Sequence, residues 1–432
     1  MAQEYLDSLL DCDLAIAGGG IVGATLAAAL KGSGLKIAII EAQSHQRAAA
    51  RRQAYALSLL TGKILDMIGI WQEILPNIGK FQHIWLSDGS YPRTVQFQTE
   101  DLGTEFLGYV GEHRTILSAL QAFLADCPDI HWLCPAEVAE VNYTDREAIV
   151  TVKQGEQQYQ VRTKLVVGAD GAQSRIRQWA GIQTRGWKYW QSCIAFTIKH
   201  SAPRNDIAFE RFWHTGPMGI LPLPGNRCQI VWTAPHAQAK AIQELDETSF
   251  LTMLAERTGG LLGNLELAGD RNLFPVQLMQ SDRYVQSRLA LVGDAAHCCH
   301  PVGGQGLNLG IRDAAALAQV LQGARERGED IGDLRVLRRY ERWRKRENLT
   351  ILGFTDLLDR LFSNNFLPLV LSRRCGLLLL NYLAPVRIYA LQLMVGFVGR
   401  SPRLSGRNLA KFLTIGLFIT LNRTALHHLL LD

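Results

Sequence analysis

Residues 13–41 read DLAIAGGGIVGATLAAALKGSGLKIAIIE, and the fold follows from this stretch. The run 13–17 is short and apolar, as a buried strand is. It ends in Gly18-Gly19-Gly20-Ile21-Val22-Gly23, a G-x-G-x-x-G, and small and apolar residues at helical spacing follow. A second apolar run, Lys36–Ile40, then closes on Glu41. The pattern predicts strand–helix–strand. In such a unit Gly18 permits the tight turn, Gly20 lets the backbone approach a pyrophosphate, and Gly23 lets the helix pack against the sheet. The helix N-terminus turns its partial positive charge to the phosphates, and Glu41 is placed to accept hydrogen bonds from a ribose. A glycine-rich turn kept only for packing is the plainer alternative. The motif alone does not say which dinucleotide is bound.

Further along, the apolar strand Leu165–Val167 runs into Ala169-Asp170-Gly171-Ala172-Gln173-Ser174-Arg175-Ile176-Arg177. Read alone, this is either part of a nucleotide site or an ordinary turn into a capped helix. A third apolar strand, Leu289–Val292, leads into Gly293-Asp294-Ala295-Ala296-His297, then Pro301, Gly303-Gly304-Gln305-Gly306, Asn308, Gly310 and Asp313. The glycine-rich loop precedes a helix whose first N–H groups can face negative charge. His297 reads better as a residue packed beside the site than as an acid or base. Between about Trp187 and Val276, alternating runs such as CIAFTIKH and RCQIVWTA are separated by turn clusters such as LPGN. This predicts an antiparallel sheet inserted into the nucleotide domain.

The remaining composition narrows the class. Lys and Arg total 45 against 40 Asp and Glu, too small an excess to suggest nucleic acid. The eight cysteines form no C-x-x-C pair and no zinc-ligand spacing, so no metal site and a reducing compartment are expected. The N-terminus is acidic where a signal peptide is basic, which favours a cytoplasmic protein.

The set GGGIVG, ADGAQSRIR and GDAAHCCHPVGGQGLNLGIRD resembles the p-hydroxybenzoate-hydroxylase-like flavoprotein monooxygenases, which carry three such motifs in this order. Within that class AFERFWHTGPMGILPLPGNRCQIVW and ARERGEDIGDLRVLRRYERWR are similar to the ubiquinone-biosynthesis hydroxylases, of the 2-polyprenyl-6-methoxyphenol hydroxylase type. The resemblance implies an α/β fold: a Rossmann-like FAD domain of the glutathione-reductase type (1–75, 105–185 and 277–345), an inserted antiparallel-sheet substrate domain (76–104 and 186–276) and a C-terminal helical region (346–432). It implies FAD against Gly18, Gly20 and Gly23, with Glu41 on the adenosine ribose. Asp170 and Gly171 belong to a motif associated with FAD and reduced pyridine nucleotide. Asp294 would hold the ribityl or pyrophosphate region. Pro301 and the loop Gly304, Gln305, Gly306, Leu307 and Asn308 would lie against the isoalloxazine ring. Arg114, in GEHRTIL, matches an arginine that reaches the flavin phosphates or ribityl chain. One departure stands out: in AARRQAYALS, Gln53 occupies the place of an expected arginine, with Arg51 and Arg52 adjacent.

The implied reaction is oxygenation of an electron-rich phenol by O₂, with NAD(P)H or a protein as electron donor. There is no second G-x-G-x-x-G for the nicotinamide nucleotide. The cofactor carries the redox chemistry, so the protein must supply an apolar pocket and an acceptor for the phenol; no residue can be named for that acceptor. The alternatives are a flavin-dependent isoprenoid or quinone reductase on the same scaffold and a non-catalytic scaffold holding FAD. After Glu347, apolar runs (FLPLVL, CGLLLLNYLAPV, FLTIGLFITL) alternate with Arg373, Arg374, Arg387, Arg400, Arg403, Arg407, Lys411 and Arg423. No acid stands between Asp359 and Asp432. No run reaches the roughly 20 residues of a membrane span. A segment lying on the inner face of an anionic membrane is expected, where it would meet a lipid-soluble phenol. A helical bundle packed on the protein is the alternative, and a homo-oligomer or a quinone-biosynthesis complex is a further expectation.

Overall fold

The computed structural model describes residues 9–89 and 94–404. Its first sheet is built on Leu9–Ala17, which pairs in parallel with Ile37–Ile40 on one side and with Gln157–Gly168 on the other. Ile130–Leu133 extends one edge and Leu289–Leu291 the other, both in parallel. Leu14, Ile16, Ile37, Ile39 and Leu165 are fully buried, as strands covered on both faces require. The helix Ile21–Leu30 is apolar nearly all round, and it packs between this sheet and the long helix Gln305–Glu326.

The register of the sheet places the site. Ala17 stands opposite Gly168, and Gly168 opposite Leu291. Crossing bonds tie the strand ends: Ala169 N donates to Ala17 O at 2.8 Å and Val292 N to Gly168 O at 3.0 Å. The three glycine-and-acid motifs therefore leave the sheet side by side, at the carboxyl ends of parallel strands where open α/β sheets bind ligands.

The second sheet runs His297–Cys298, Asn272–Ser281, Thr184–His200, Arg227–Pro235, Gly216–Leu223, Ile207–Trp213, His83–Asp88, Thr94–Gln98. It is antiparallel apart from one pair: Ile207–Trp213 runs parallel to His83–Asp88. That pair joins two parts of the sheet that are far apart in sequence, so no turn dictates its direction. One face packs on helices His236–Glu244 and Glu247–Thr258. A small sheet of Ala54–Ser58, Gly108–Glu112 and Gly79–Phe81 packs against Gly216–Leu223 of the second sheet and against the helix Gln305–Glu326.

The helix Leu334–Phe362 runs unbroken through residue 346, so the change of composition there is not the structural boundary expected. Its buried face continues from Tyr340 and Arg344 through Asn348, Ile351 and Thr355 to Asp359 at helical spacing. The chain first breaks after Phe362. Helices Leu367–Tyr382 and Ala384–Val395 follow, bent against each other by 102°. Among the described residues no single helix is long and apolar enough to cross a membrane.

The C-terminal cations are not all surface groups. Arg373 is buried against Asp88 at 2.8 Å, and Arg387 pairs with Asp101 at 2.9 Å. These two arginines clamp the bent helix pair to the second sheet and to the turn that follows its edge strand; they are not free to face lipid. Arg407, Lys411, Arg423 and the FLTIGLFITL run lie outside the described residues.

Candidate FAD site

Gly18 has φ +106°, and a Cβ there would lie 2.4 Å from Ala169 O. A Cβ on Gly23 would meet Gly18 O at 2.0 Å. Both positions are closed by backbone, one against the second motif and one against the turn itself. Gly20 differs, since a Cβ there meets nothing within 4 Å. It caps the helix Ile21–Leu30 and lines a cavity of about 440 Å³. Glu41 accepts from Gly19 N at 2.8 Å and from Gln43 N at 2.9 Å, so its carboxylate braces the glycine turn from the next strand.

In the second motif Asp170 accepts from Ile176 N at 3.2 Å through one oxygen, while its other oxygen is buried without a partner. Ser174 caps the short helix that follows, accepting from Arg177 N at 3.0 Å. Arg177 then reaches Ala172 O and Ala295 O, both at 2.8 Å. It thereby ties the second motif to the third. Gly171 lines the cavity.

The third motif is held from beneath by Asp313. Its two oxygens receive Gly293 N at 3.1 Å, His297 Nε2 at 2.6 Å, Arg344 Nε at 2.7 Å and Asn348 Nδ2 at 3.0 Å. Burial alone would push this carboxyl up, but His297 and Arg344 outweigh it and hold it down at about 2. His297 is spent on that bond and is not among the cavity's lining residues. Asp294, one residue beyond Gly293, faces the cavity. Enclosure by protein raises its pKa, against the pull of His297 and Arg51. Pro301, Gly304, Gln305, Gly306, Leu307 and Asn308 all line the same cavity.

Asn308 has a second task. Its oxygen receives Ser58 N at 2.8 Å and Thr61 Oγ1 at 2.7 Å, and its amide donates to Ala56 O at 2.9 Å and Gly304 O at 2.8 Å. It clips the strand Ala54–Ser58 to the start of the helix Gln305–Glu326. The structure also separates the residues around Gln53. Arg51 and Gln53 both line the cavity, whereas Arg52 turns to Asp270 at 3.4 Å. Arg114 is exposed in the first turn of the helix His113–Ala125 and is not among the lining residues. Its neighbour His113 lines the cavity, with Nδ1 3.2 Å from the Tyr55 hydroxyl and Nε2 3.1 Å from Ala48 O. Burial and Arg51 lower the His113 pKa, so it is neutral, donating from Nε2 and accepting at Nδ1.

The arrangement fits a flavin dinucleotide. A helix N-terminus and an open glycine suit the pyrophosphate. Arg51 and Asp294 offer polar groups for the ribityl region. The walls from the small sheet, the second sheet and the C-terminal helices are mostly apolar: Phe81, Ile84, Leu221, Phe274 and Met394. One acid interrupts them. Glu210 lines the cavity and accepts from Gly303 N at 3.4 Å, and burial raises its pKa to about 7. Sequence reasoning passed over Glu210, Tyr55 and His113. The signal for the first was an acid between Ala208 and Phe212, inward positions of an alternating strand.

Comparison with known proteins agrees with this geometry. The chain is 57% identical over 393 residues to the Synechocystis protein slr1300, covering 91% of this chain and 95% of that one. It is 36% identical over 379 residues to the ubiquinone hydroxylase UbiL of Rhodospirillum rubrum, covering 87% of each. The p-nitrophenol 4-monooxygenase PnpA of Pseudomonas putida superposes with a TM-score of 0.76 at 18% identity, over 91% of this chain and 99% of that one. That likeness shows a shared fold. With residues 11–349 matching the model of the FAD binding domain, the chain belongs to that family and is an FAD-dependent monooxygenase.

Proposed function

We propose that this enzyme hydroxylates the ring of a polyprenylated phenol in the synthesis of a membrane quinone, ubiquinone or plastoquinone. The observation that carries this reading is the composition of the cavity wall. Met394 and Val395 line the cavity from the end of the bent helix pair. The same pair exposes Leu367 (66%), Leu371 (58%) and Tyr389 (60%) on its outer side. An apolar wall inside and an apolar surface outside, on the same two helices, suit a substrate whose ring enters the cavity while its tail stays in lipid. The name of the relative from Rhodospirillum rubrum supports the same class of substrate.

In this reading bound FAD, reduced by NAD(P)H or a protein donor, supplies the activation of O₂. The chain's own residues do the rest. The helix Ile21–Leu30 and Gly20 hold the phosphates, Asp294 and Arg51 the ribityl region, and the loop 303–308 the ring. The aromatic and aliphatic wall keeps water from the reacting centre. Asp313, through Gly293 and His297, fixes the loop that carries Asp294.

The test is removal of the gene followed by mass analysis of the lipid quinones, paired with an assay of purified protein on a short-chain polyprenylphenol with NAD(P)H. Accumulation of a precursor lacking one oxygen, and incorporation of one atom of labelled O₂, are expected. An unchanged quinone pool would sink the substrate assignment. NAD(P)H oxidation that reduces a quinone or an isoprenoid without oxygen incorporation would favour a reductase instead.

A further inference from the structure

Glu210 lies in the strand Ile207–Trp213, which pairs with Gly216–Leu223 on one side and His83–Asp88 on the other. Successive residues of a strand alternate between faces. Ala208, Glu210 and Phe212 share one face; Ala208 and Glu210 line the cavity, and Ala208 and Phe212 belong to one apolar cluster. Glu210 is thus an isolated acid in an apolar wall. Its cross-strand neighbour on one side is Gly219, where even a Cβ would lie 3.7 Å from Glu210 Oε2. The missing side chain leaves space directly beside the carboxylate.

Glu210 is half-buried in the cavity wall; a carboxylate so withdrawn from bulk water is normally paired, and this one has little. Its hydrogen bond comes from Gly303 N, in the loop that the site reading places against the flavin ring. No salt bridge to it is found among the described residues. The charged groups around it are accounted for. Asp88, further along the adjoining strand, is neutralised by Arg373 from the helix Leu367–Tyr382. Arg51 and Asp294 line the cavity from the flavin domain, with Tyr55, the neutral His113, Cys298 and Cys299. On its own strand Arg211 points to the opposite face, donating to Thr258 O. Among the described residues no cation of the second sheet pairs with Glu210, and withdrawal from water accounts for its raised pKa.

We propose that Glu210 is the acceptor that takes the hydroxyl proton of the phenolic substrate. The inference rests on the aromatic-hydroxylase reading of the cavity and supplies the activating group that the reading requires. The proton passes from the phenol oxygen to the Glu210 carboxylate, and the O–H electron pair stays on oxygen and enriches the ring. O₂ and the electron donor supply the oxygen atom and the reducing electrons. The hydroxylated carbon then loses its ring proton to solvent, which balances the proton taken up as the second oxygen atom leaves as water; aromaticity returns, and Glu210 gives its own proton back to the phenolate oxygen. The carboxylate is unchanged over the cycle. A base working near neutrality suits this transfer, because it is ionised often enough to act and basic enough to take the proton.

The experiment compares wild type with Glu210→Gln and Glu210→Asp, on a simple alkylphenol and on its ring-fluorinated analogue that is already ionised at the assay pH. Gln keeps an oxygen for Gly303 N. The expected result for Glu210→Gln is normal flavin content and a kcat on the alkylphenol lower by about 10²-fold or more. The rising limb of kcat near pH 7 should also disappear, and Asp should restore part of the rate. On the fluorinated phenol the ratio of mutant to wild-type kcat should climb toward one. A merely structural role would depress both substrates alike. If Glu210→Gln keeps the alkylphenol rate and the pH limb, or loses both substrates equally, the acceptor assignment fails and the hydroxylase reading stands. If wild type itself oxygenates no phenol, the hydroxylase reading fails and takes this inference with it. Should Glu210→Gln not fold, the pH profile and substrate ratio of Glu210→Asp decide on the same terms.

Discussion

Asp313 gathers four donors on one carboxylate with no exposure to solvent. Replacing it by Asn removes the charge that His297 and Arg344 are arranged around, and leaves Arg344 buried beside a neutral group. Breaking a buried pair in this way costs about 3–5 kcal/mol. Urea unfolding of Asp313→Asn should register that loss, together with a lower flavin content. The same group sets an acid limit. Its folded pKa lies near 2, below the roughly 3.9 of an unfolded aspartate. Its contribution is therefore complete above that unfolded value and is lost as pH falls through about 4 toward 2. Unfolding midpoints measured across this window should fall more steeply in wild type than in the Asn variant. Asp294 behaves differently because it faces the cavity and not a partner. Asp294→Ala should yield soluble, folded protein largely free of FAD, and a normal flavin absorbance in that variant would refute its assignment to the cofactor.

At the scale of elements, the first βαβ unit contains two glycines with opposite sensitivities. Gly23→Ala drives a methyl into Gly18 O and should prevent the helix Ile21–Leu30 from closing on the sheet. Gly20→Ala adds its methyl to open space, so the fold should survive while FAD affinity drops. Circular dichroism and flavin titration separate the two outcomes. The unit was legible in the sequence because its pattern is local: a run of apolar residues, a glycine turn and a helix of small residues in immediate succession. The three cofactor motifs were legible for the same reason, each lying at a strand end. What escaped was set by distant pairing. The three-stranded sheet joins 54–58 to 79–81 and 108–112, and the parallel pair joins 83–88 to 207–213, with no local signal for either. Glu210 escaped because its role depends on Gly303, nearly a hundred residues away, and on a neighbour with no side chain. Arg51 and Arg52 are adjacent in sequence, and only backbone direction sends one into the cavity and the other to Asp270.

Across the whole molecule, the bent C-terminal helix pair is attached by charge and open by hydrophobicity. Arg373–Asp88 and Arg387–Asp101 fasten it to the second sheet and to the turn after its edge strand, and Leu367, Leu371, Val386 and Tyr389 remain exposed. If that face meets lipid, Leu371→Asp with Tyr389→Ser should reduce sedimentation with anionic vesicles several-fold and leave FAD content and unfolding temperature unchanged. Equal sedimentation of the double variant would argue for a protein partner on that face. Arg373→Met should act in the opposite way: it breaks the buried ion pair with Asp88 and lowers stability by about 3–5 kcal/mol.

The Asn308 clip also bears on how the protein is made. It fastens residues 56, 58 and 61 to a helix that begins at Gln305, and the sheet beneath it is not complete until Leu289–Leu291 has joined. A growing polypeptide therefore presents its glycine turn long before the far wall of the cleft has left the ribosome. Flavin loading must wait for the last third of translation, and a message cut short before Gly293 encodes a chain that synthesis can finish but riboflavin supply cannot rescue.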